Sequence, residues 1–393
     1  MTTLTWPVLL LLQLAGFGGD GGEWGFFSHR LINRMAVFTL PAELIGVYKQ
    51  HIAYVTEHAV DPDKRRYATR HEAVRHYIDI DHWGTYPFDN VPRTWNDALL
   101  WKMQVLGIIE GAHPDTHIVI DFTRQPHASR DSLRRIVLDA VLPQYYEDEW
   151  VIDCAILPDR SWCQQYDRLI AREQFTQYGI LPYHLVQMQR RLTAAFEARD
   201  LSAVLRLSAD FGHYIADAHV PLHTTGNYNG QLTGQTGIHA FWETRIPEIM
   251  ADSEFDFMVG RAEYIRDPQT FYWDIVLKSH TLVGEVLETE SRLRSEYPTN
   301  AQFCFEERLE VTTRTQCEAY ARAYHAAMNG MVEERMREAV HAIGSAWYTA
   351  WVDGGQPEFE ASTGKLSPHD EAAFEELERQ FRLGEIKGRA HRN

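Results

Sequence analysis

Between Asp210 and Tyr228 the chain reads DFGHYIADAHVPLHTTGNY, which gathers His213, His219 and His223 with Asp210 and Asp217. Sixteen residues after His223 comes HAFWE, with His239 and Glu243 four apart. Imidazoles and carboxylates in this mixture are ligands that zinc accepts, and they also carry protons in acid–base chemistry. Residues four apart on an α-helix lie about 40° apart around its axis, so His213 and Asp217 share a face, as do His239 and Glu243. His219, six residues after His213, falls about 240° round and is expected to serve as a structural or supporting group. Pro221 disfavours helix at Val220, so the helix should end near His219. The chain can then turn and bring His223 back towards the first pair. One His–acid pair is ordinary on a helix surface. Two pairs and a further histidine within 31 residues point to a shared metal site.

Upstream, HAVDPDKRRYATRHEAVRHYIDID holds Asp61 ahead of a proline, and His76 fifteen residues later. EWGFFSHRLINR adds Trp24 and His29, with Phe26 and Phe27 between them as candidates for an apolar pocket. Tyr77 and Asp79, just after His76, are candidates for substrate contact. A tyrosine in a helix core, and acids that orient histidines, are the plainer alternatives.

The elements that must position these residues read as helices. PAELIGVYKQHIAYVTEHAV carries Leu44, Ile45, Tyr48, Ile52 and Val55 at helical spacing behind Pro41 and Glu43. LPYHLVQMQRRLTAAFEARD and LSAVLRLSADFGHYIADAH follow the same pattern, as does most of 300–352. DTHIVIDF alternates like a strand, but no partner strands are evident around it. The expectation is an all-α, single-domain multi-helix bundle over 24–353, with a less periodic excursion over about 84–178 and a charged C-terminal tail over 354–393.

The chain has 393 residues, 45% of them hydrophobic, and a net charge of −17. That balance argues against general duplex-DNA binding, which rests on Lys and Arg neutralising phosphates. Residues 1–23 contain WPVLLLLQLAGFGG, an apolar run of about ten to fourteen residues that suits a signal peptide and is too short to span a bilayer. A secreted or periplasmic protein with no integral membrane span is expected, and no protein partner is inferred. In an exported chain Cys154–Cys163 and Cys304–Cys317 are the simplest of three possible disulfide pairings, and spacing does not choose among them.

These motifs together resemble the zinc-dependent phospholipase C and single-strand-specific zinc nuclease superfamily, over Trp24 to about Pro247. The resemblance implies an all-helical fold with three zinc ions in one cleft. It assigns one zinc to Asp61, His76, His213 and Asp217. A second falls to Trp24, through its α-amino and carbonyl groups, with His29 and the bridging Asp217. The third falls to His223, His239 and Glu243. The implied activity is phosphodiester hydrolysis by a zinc-bridged hydroxide, with Asp61 able to orient or deprotonate the nucleophile. Glu243 as last ligand and the short gap from His223 to His239 resemble the phospholipase branch, so the expected substrate is a phospholipid head group. The alternative is a zinc endonuclease acting on single-stranded nucleic acid, with Tyr77 and Asp79 at the base. A third possibility is a non-enzymatic secreted protein that zinc merely staples.

Overall fold

A computed structural model describes residues 26–111, 114–121, 149–152, 161–308, 311–359, 368–384 and 386–387. The expected signal segment, Trp24 and Cys154 lie outside these residues. Helix α1 (Phe26–Ala36) leads to α2 (Ala42–Gln50) and α3 (Ile52–Glu57), which the sequence pattern had joined into one. They part at His51, whose backbone leaves helical geometry (φ −112°, ψ 22°). A 3₁₀ turn over His58–Val60 then feeds the short α4 (Asp61–Arg65).

Two long helices pack against each other, and the second carries the centre of the site. Helix α5 (Leu181–Glu197) starts with Pro182 in its first turn, where a missing N–H costs nothing. Helix α6 (Leu201–Ala218) is capped by Asp200, whose carboxylate accepts the Ala203 N–H at 3.0 Å. It ends at Ala218 with His219 as C-cap, and Val220 before Pro221 is extended. After α7 (Ile246–Glu254), α8 (Pro268–Thr281), α9 (Val283–Glu296) and α10 (Glu318–Ala327), the 23-residue α11 (Met331–Asp353) returns along α1, α5 and α6. The core lies where these meet. Trp347 stacks on Tyr48 with ring centroids 4.8 Å apart and donates to the Ser208 carbonyl at 3.1 Å. Asn33, fully buried on α1, donates to the Val55 and Ala209 carbonyls at 3.2 and 3.0 Å, tying α1 to α3 and α6. Burying the Asn33 amide nitrogen and the Trp347 indole N–H is tolerable because both are hydrogen-bonded. Helix α12 (Pro368–Leu383) packs on α4.

The all-α expectation is corrected, because the bundle carries two small antiparallel sheets. The first has the order β2-β1-β4-β3, from β1 (Met103–Ile109), β2 (Asp115–Asp121), β3 (Glu149–Val151) and β4 (Arg168–Glu173). It occupies the 84–178 excursion. DTHIVID (Asp115–Asp121) is indeed a strand, but its partner MQVLGII is apolar apart from Gln104 and lacks the period-two alternation of a half-exposed strand. Strand β1 pairs on its other side with β4, Leu106 opposite Ile170, and such distant pairing leaves no local signal. The second sheet is the hairpin β5 (Phe303–Arg308) and β6 (Val311–Gln316), inside a stretch read as helical. The β-branched residues Val311, Thr312, Thr313 and Thr315 favour strand there. Cys304 and Cys317 are disulfide-bonded at the hairpin's open end. Cys163 is also disulfide-bonded; its expected partner Cys154 lies outside the described residues. Among the described residues, no helix is long and apolar enough to cross a membrane.

Candidate metal centre

Helix α6 presents His213 and Asp217 on one buried face, with His213 Nε2 3.3 Å from Asp217 Oδ2. Around them the fold brings side chains from four other segments. His29 comes from α1, and its ring stacks on that of His213 at 3.9 Å. His76 follows a short helical turn (Arg70–Ala73) and sets Nδ1 2.9 Å from Asp217 Oδ2 and 3.1 Å from His213 Nε2. His223 lies in the 3₁₀ turn Pro221–Thr224, which doubles back after α6 so that its ring is 3.6 Å from Asp217 Oδ1. His239 and Glu243 come from a short helical turn and the π-helical turn Phe241–Arg245 that follows it. Despite the changed winding the pair still meets, at 2.7 Å.

Three groups of potential metal ligands result: His29, His213 and Asp217; Asp63, His76 and His213; and His223, His239 and Glu243. The groups are contiguous because two carboxylates divide their oxygens between neighbours. Asp217 Oδ2 faces His76 and His213, while Oδ1 faces His29 and His223, each at 3.6 Å. Glu243 Oε1 is 3.4 Å from His29, while Oε2 faces His223 at 3.3 Å and His239.

The donor chemistry fits a cation. His213 donates Nδ1–H to the Ala59 carbonyl at 2.8 Å, and His223 donates Nδ1–H to the His76 carbonyl at 2.7 Å. A neutral ring so bonded has a bare lone pair at Nε2. His223 Nε2 faces His239 Nε2 at 2.9 Å, and His213 Nε2 faces His76 Nδ1 at 3.1 Å. Without a proton or a metal ion, such facing lone pairs repel. Bonds of about 2.0–2.2 Å to zinc place tetrahedral neighbours roughly 3.3 Å apart, close to these spacings.

The electrostatics of the metal-free groups agree. Burial opposes charge on His213 and His223, but neighbouring carboxylates outweigh it and raise both to about 9: Asp217 and Asp63 for the first, Asp217 and Glu243 for the second. Burial would raise the carboxyl pKa values of Asp217 and Glu243. The histidines around them instead hold both well below the ordinary carboxylate range. Burial lowers His76 and His239 below the ordinary imidazole value, despite Asp217 beside the first and Glu243 beside the second. The three groups can coordinate metal ions, and they support a metal-dependent hydrolytic capability in general terms.

Of the other expected site residues, Asp61 is not brought to these groups. Its Oδ2 accepts His58 Nδ1–H at 2.6 Å, and Oδ1 lies 3.7 Å from Lys64. Asp63 faces the site instead, 3.8 Å from His76 and 3.9 Å from His213. Residues two apart on a helix point about 160° away from each other, so only one acid of Asp-Pro-Asp can turn inward. Docking of α4 decides which. Tyr77 is 5% exposed and its hydroxyl donates to the Gln177 carbonyl at 3.2 Å. Asp79 is buried, with its backbone N–H bonded to Tyr178. Phe26 is buried and Phe27 packs against the main core, and neither lines the apolar recess beside His29 and Glu243. His219 faces away, donating Nδ1–H to the Ile215 carbonyl at 2.8 Å while its own carbonyl accepts from Arg335.

Asp63 and Glu72 are supporting groups that the sequence motifs did not single out, while Asp81 was expected, with Asp79, among the acids that orient histidines. Glu72 is fully buried behind His76, 3.8 Å from its Nε2, and accepts hydrogen bonds from Tyr214 and Arg75. Asp81 accepts Thr225 Oγ1–H at 2.6 Å and the Gly226 N–H at 3.0 Å, pinning the loop that leaves His223. The spacing of Glu72 and His76, four apart, was the one signal available for that pair. Comparison with protein-family models and with curated proteins returns no match for this chain.

Proposed function

We propose that the protein is a zinc-dependent phosphodiester hydrolase of the phospholipase C type, as the motif resemblance implies. The observation that carries this is the division of Asp217 between the His76–His213 side and the His29–His223 side. A structural zinc site is closed around one ion by its own ligands, whereas a shared carboxylate suits adjacent ions acting on one substrate. His223, His239 and Glu243 would hold one zinc. Asp63, His76, His213 and Asp217 would hold another. His29 and Asp217 would hold a third, completed by the Trp24 amine if export and cleavage after Glu23 free it. Zinc bound there would supply Lewis-acid polarisation of the phosphoryl group and a water acidic enough to ionise near neutral pH.

The chain's own residues then have these parts. Asp63 takes the role expected of Asp61. Burial would raise its pKa, but His213, His76, Arg66 and His29 outweigh burial and lower it, so it is an ionised carboxylate able to orient or accept a proton from water. Arg66 lies 3.5 Å from Asp63 Oδ1 and places a guanidinium beside the donors, where phosphoryl oxygens gain charge. The carbonyls of Ala59 and His76 keep the imidazoles of His213 and His223 fixed.

Burial of Tyr77 supports a lipid head group over a base, because stacking needs an open ring face. The deciding assay runs phosphatidylcholine and single-stranded DNA in parallel, on protein as isolated, after chelation and after zinc is restored. Zinc-dependent release of phosphocholine is expected. Nucleotide release instead would assign the site to nucleic acid, and activity on neither, with no zinc bound, would overturn the proposal.

A further inference from the structure

Helix α4 is five residues long, too short to hold its own conformation or placement. Yet it carries Asp63, the member of the ligand groups with the longest approaches. What grips α4 from outside is α12. Glu378 forms an ion pair with Lys64, whose side chain is only 8% exposed and whose Nζ also lies 5.3 Å from the Phe374 ring centroid. Phe374 meets the ring of His58 edge-on at 4.8 Å. Phe381 touches two segments at once: Tyr67, just after α4, at 5.0 Å, and Phe26, the first residue of α1, at 5.8 Å. Beyond the helix, Lys387 donates its backbone N–H to the Arg66 carbonyl at 2.9 Å and Nζ–H to the Ala68 carbonyl at 3.2 Å. Consecutive residues on a helix are turned by about 100°, so α12 can hold Lys64 on one side while Asp63 faces the histidines on another.

We propose that α12 is a clamp on the metal centre, with Glu378 and Phe381 as positioning residues that hold α4, and therefore Asp63, against His76 and His213. The inference rests on the metal-binding reading of those residues, not on the identity of the substrate. Phe381 also joins the start of α1 to the end of α4, so the same clamp fixes the segment that leads to His29.

The test is zinc titration of the metal-stripped full-length chain by calorimetry, comparing wild type, E378A, F381L, D63N and D63N/E378A. A supporting contact to a metal ligand changes metal affinity by about 10–100-fold. For E378A a loss near the lower end, about tenfold, is expected in the Asp63 class only, and for F381L in the Asp63 and His29 classes, with the His223–His239–Glu243 class unchanged in both. In the D63N background, E378A should cost nothing further, because the residue it positions is already gone. A general loss of stability would weaken every class and would add to D63N. Unchanged zinc binding in both single variants, or additive losses in the double variant, would overturn the clamp and leave the metal centre standing. Wild-type protein that binds no zinc would overturn the metal reading itself, and the clamp with it.

Discussion

Asp217 is the residue on which most of the site converges, since its two oxygens face four histidines. Asn keeps the shape but cannot present two anionic oxygens. D217N is therefore expected to lose the ions on both sides of it while retaining the His223–His239–Glu243 site, as metal analysis after gel filtration would show. The two acids of α4 make a sharper contrast. D63N should lower kcat/KM at least about a hundredfold, within the range for losing a general base. D61N, which only releases His58 and Lys64, should stay within a few-fold. Equal losses would mean that Asp61 reaches the substrate. The imidazoles predict a pH dependence. In metal-free protein His213 and His223 sit at about 9 against an ordinary 6.5, so their protonation contributes stability that is complete below about 6.5 and is lost as pH rises through 9. Zinc competes with those same protons. Its apparent affinity should climb across the same window, and calorimetry in buffers of different ionisation enthalpy should count about two protons released at neutral pH.

At the scale of elements, the meeting of α1 and α6 sets the floor of the site. Gly212 sits next to His213, and a Cβ there would collide with the Asn33 side chain, which is already committed to the Val55 and Ala209 carbonyls. G212A is expected to cost about 1–3 kcal/mol by overpacking and to separate His29 from His213. Denaturant unfolding would measure the first effect, and zinc affinity the second. The turn carrying Glu243 is held from the other side. Arg245 donates Nε–H to the Gln316 carbonyl at 3.0 Å and pairs with Glu306, both on the hairpin closed by Cys304 and Cys317. Removing that disulfide with C304S/C317S should lower stability by about 3 kcal/mol, the figure for a loop of this size. Unchanged unfolding would show that the hairpin is not coupled to the core.

Across the whole molecule, the ligand groups draw on chain positions from His29 to Glu243. Metal bound there would act as a cross-link between α1, α4, the segment of His76, α6 and the three turns that follow α6. Each site should then add about 2.7 kcal/mol of stability when free zinc exceeds its Kd a hundredfold, seen as a rise in Tm that a chelator reverses. A Tm indifferent to zinc would mean that the groups do not bind it.

Which ligand-type residues stand at which spacing could be read from the chain alone. The spacing of His213 and Asp217, the stop at Pro221 and the return of His223 are local properties of helix period and proline geometry, legible without a fold, whereas His239 and Glu243 meet across a π-helical turn that the α-helical spacing did not foresee. Tertiary structure alone decided what depends on docking between distant segments. Asp61 and Asp63 are equivalent in composition, and only the placement of α4 turns Asp63 inward. The strands pair residues far apart, such as Gln104 with Arg172, and pairing of that kind is written in no window of sequence. The packing of α12 on α4 is likewise invisible locally, because the polar pattern of a helix does not say which partner its few aromatic side chains will meet.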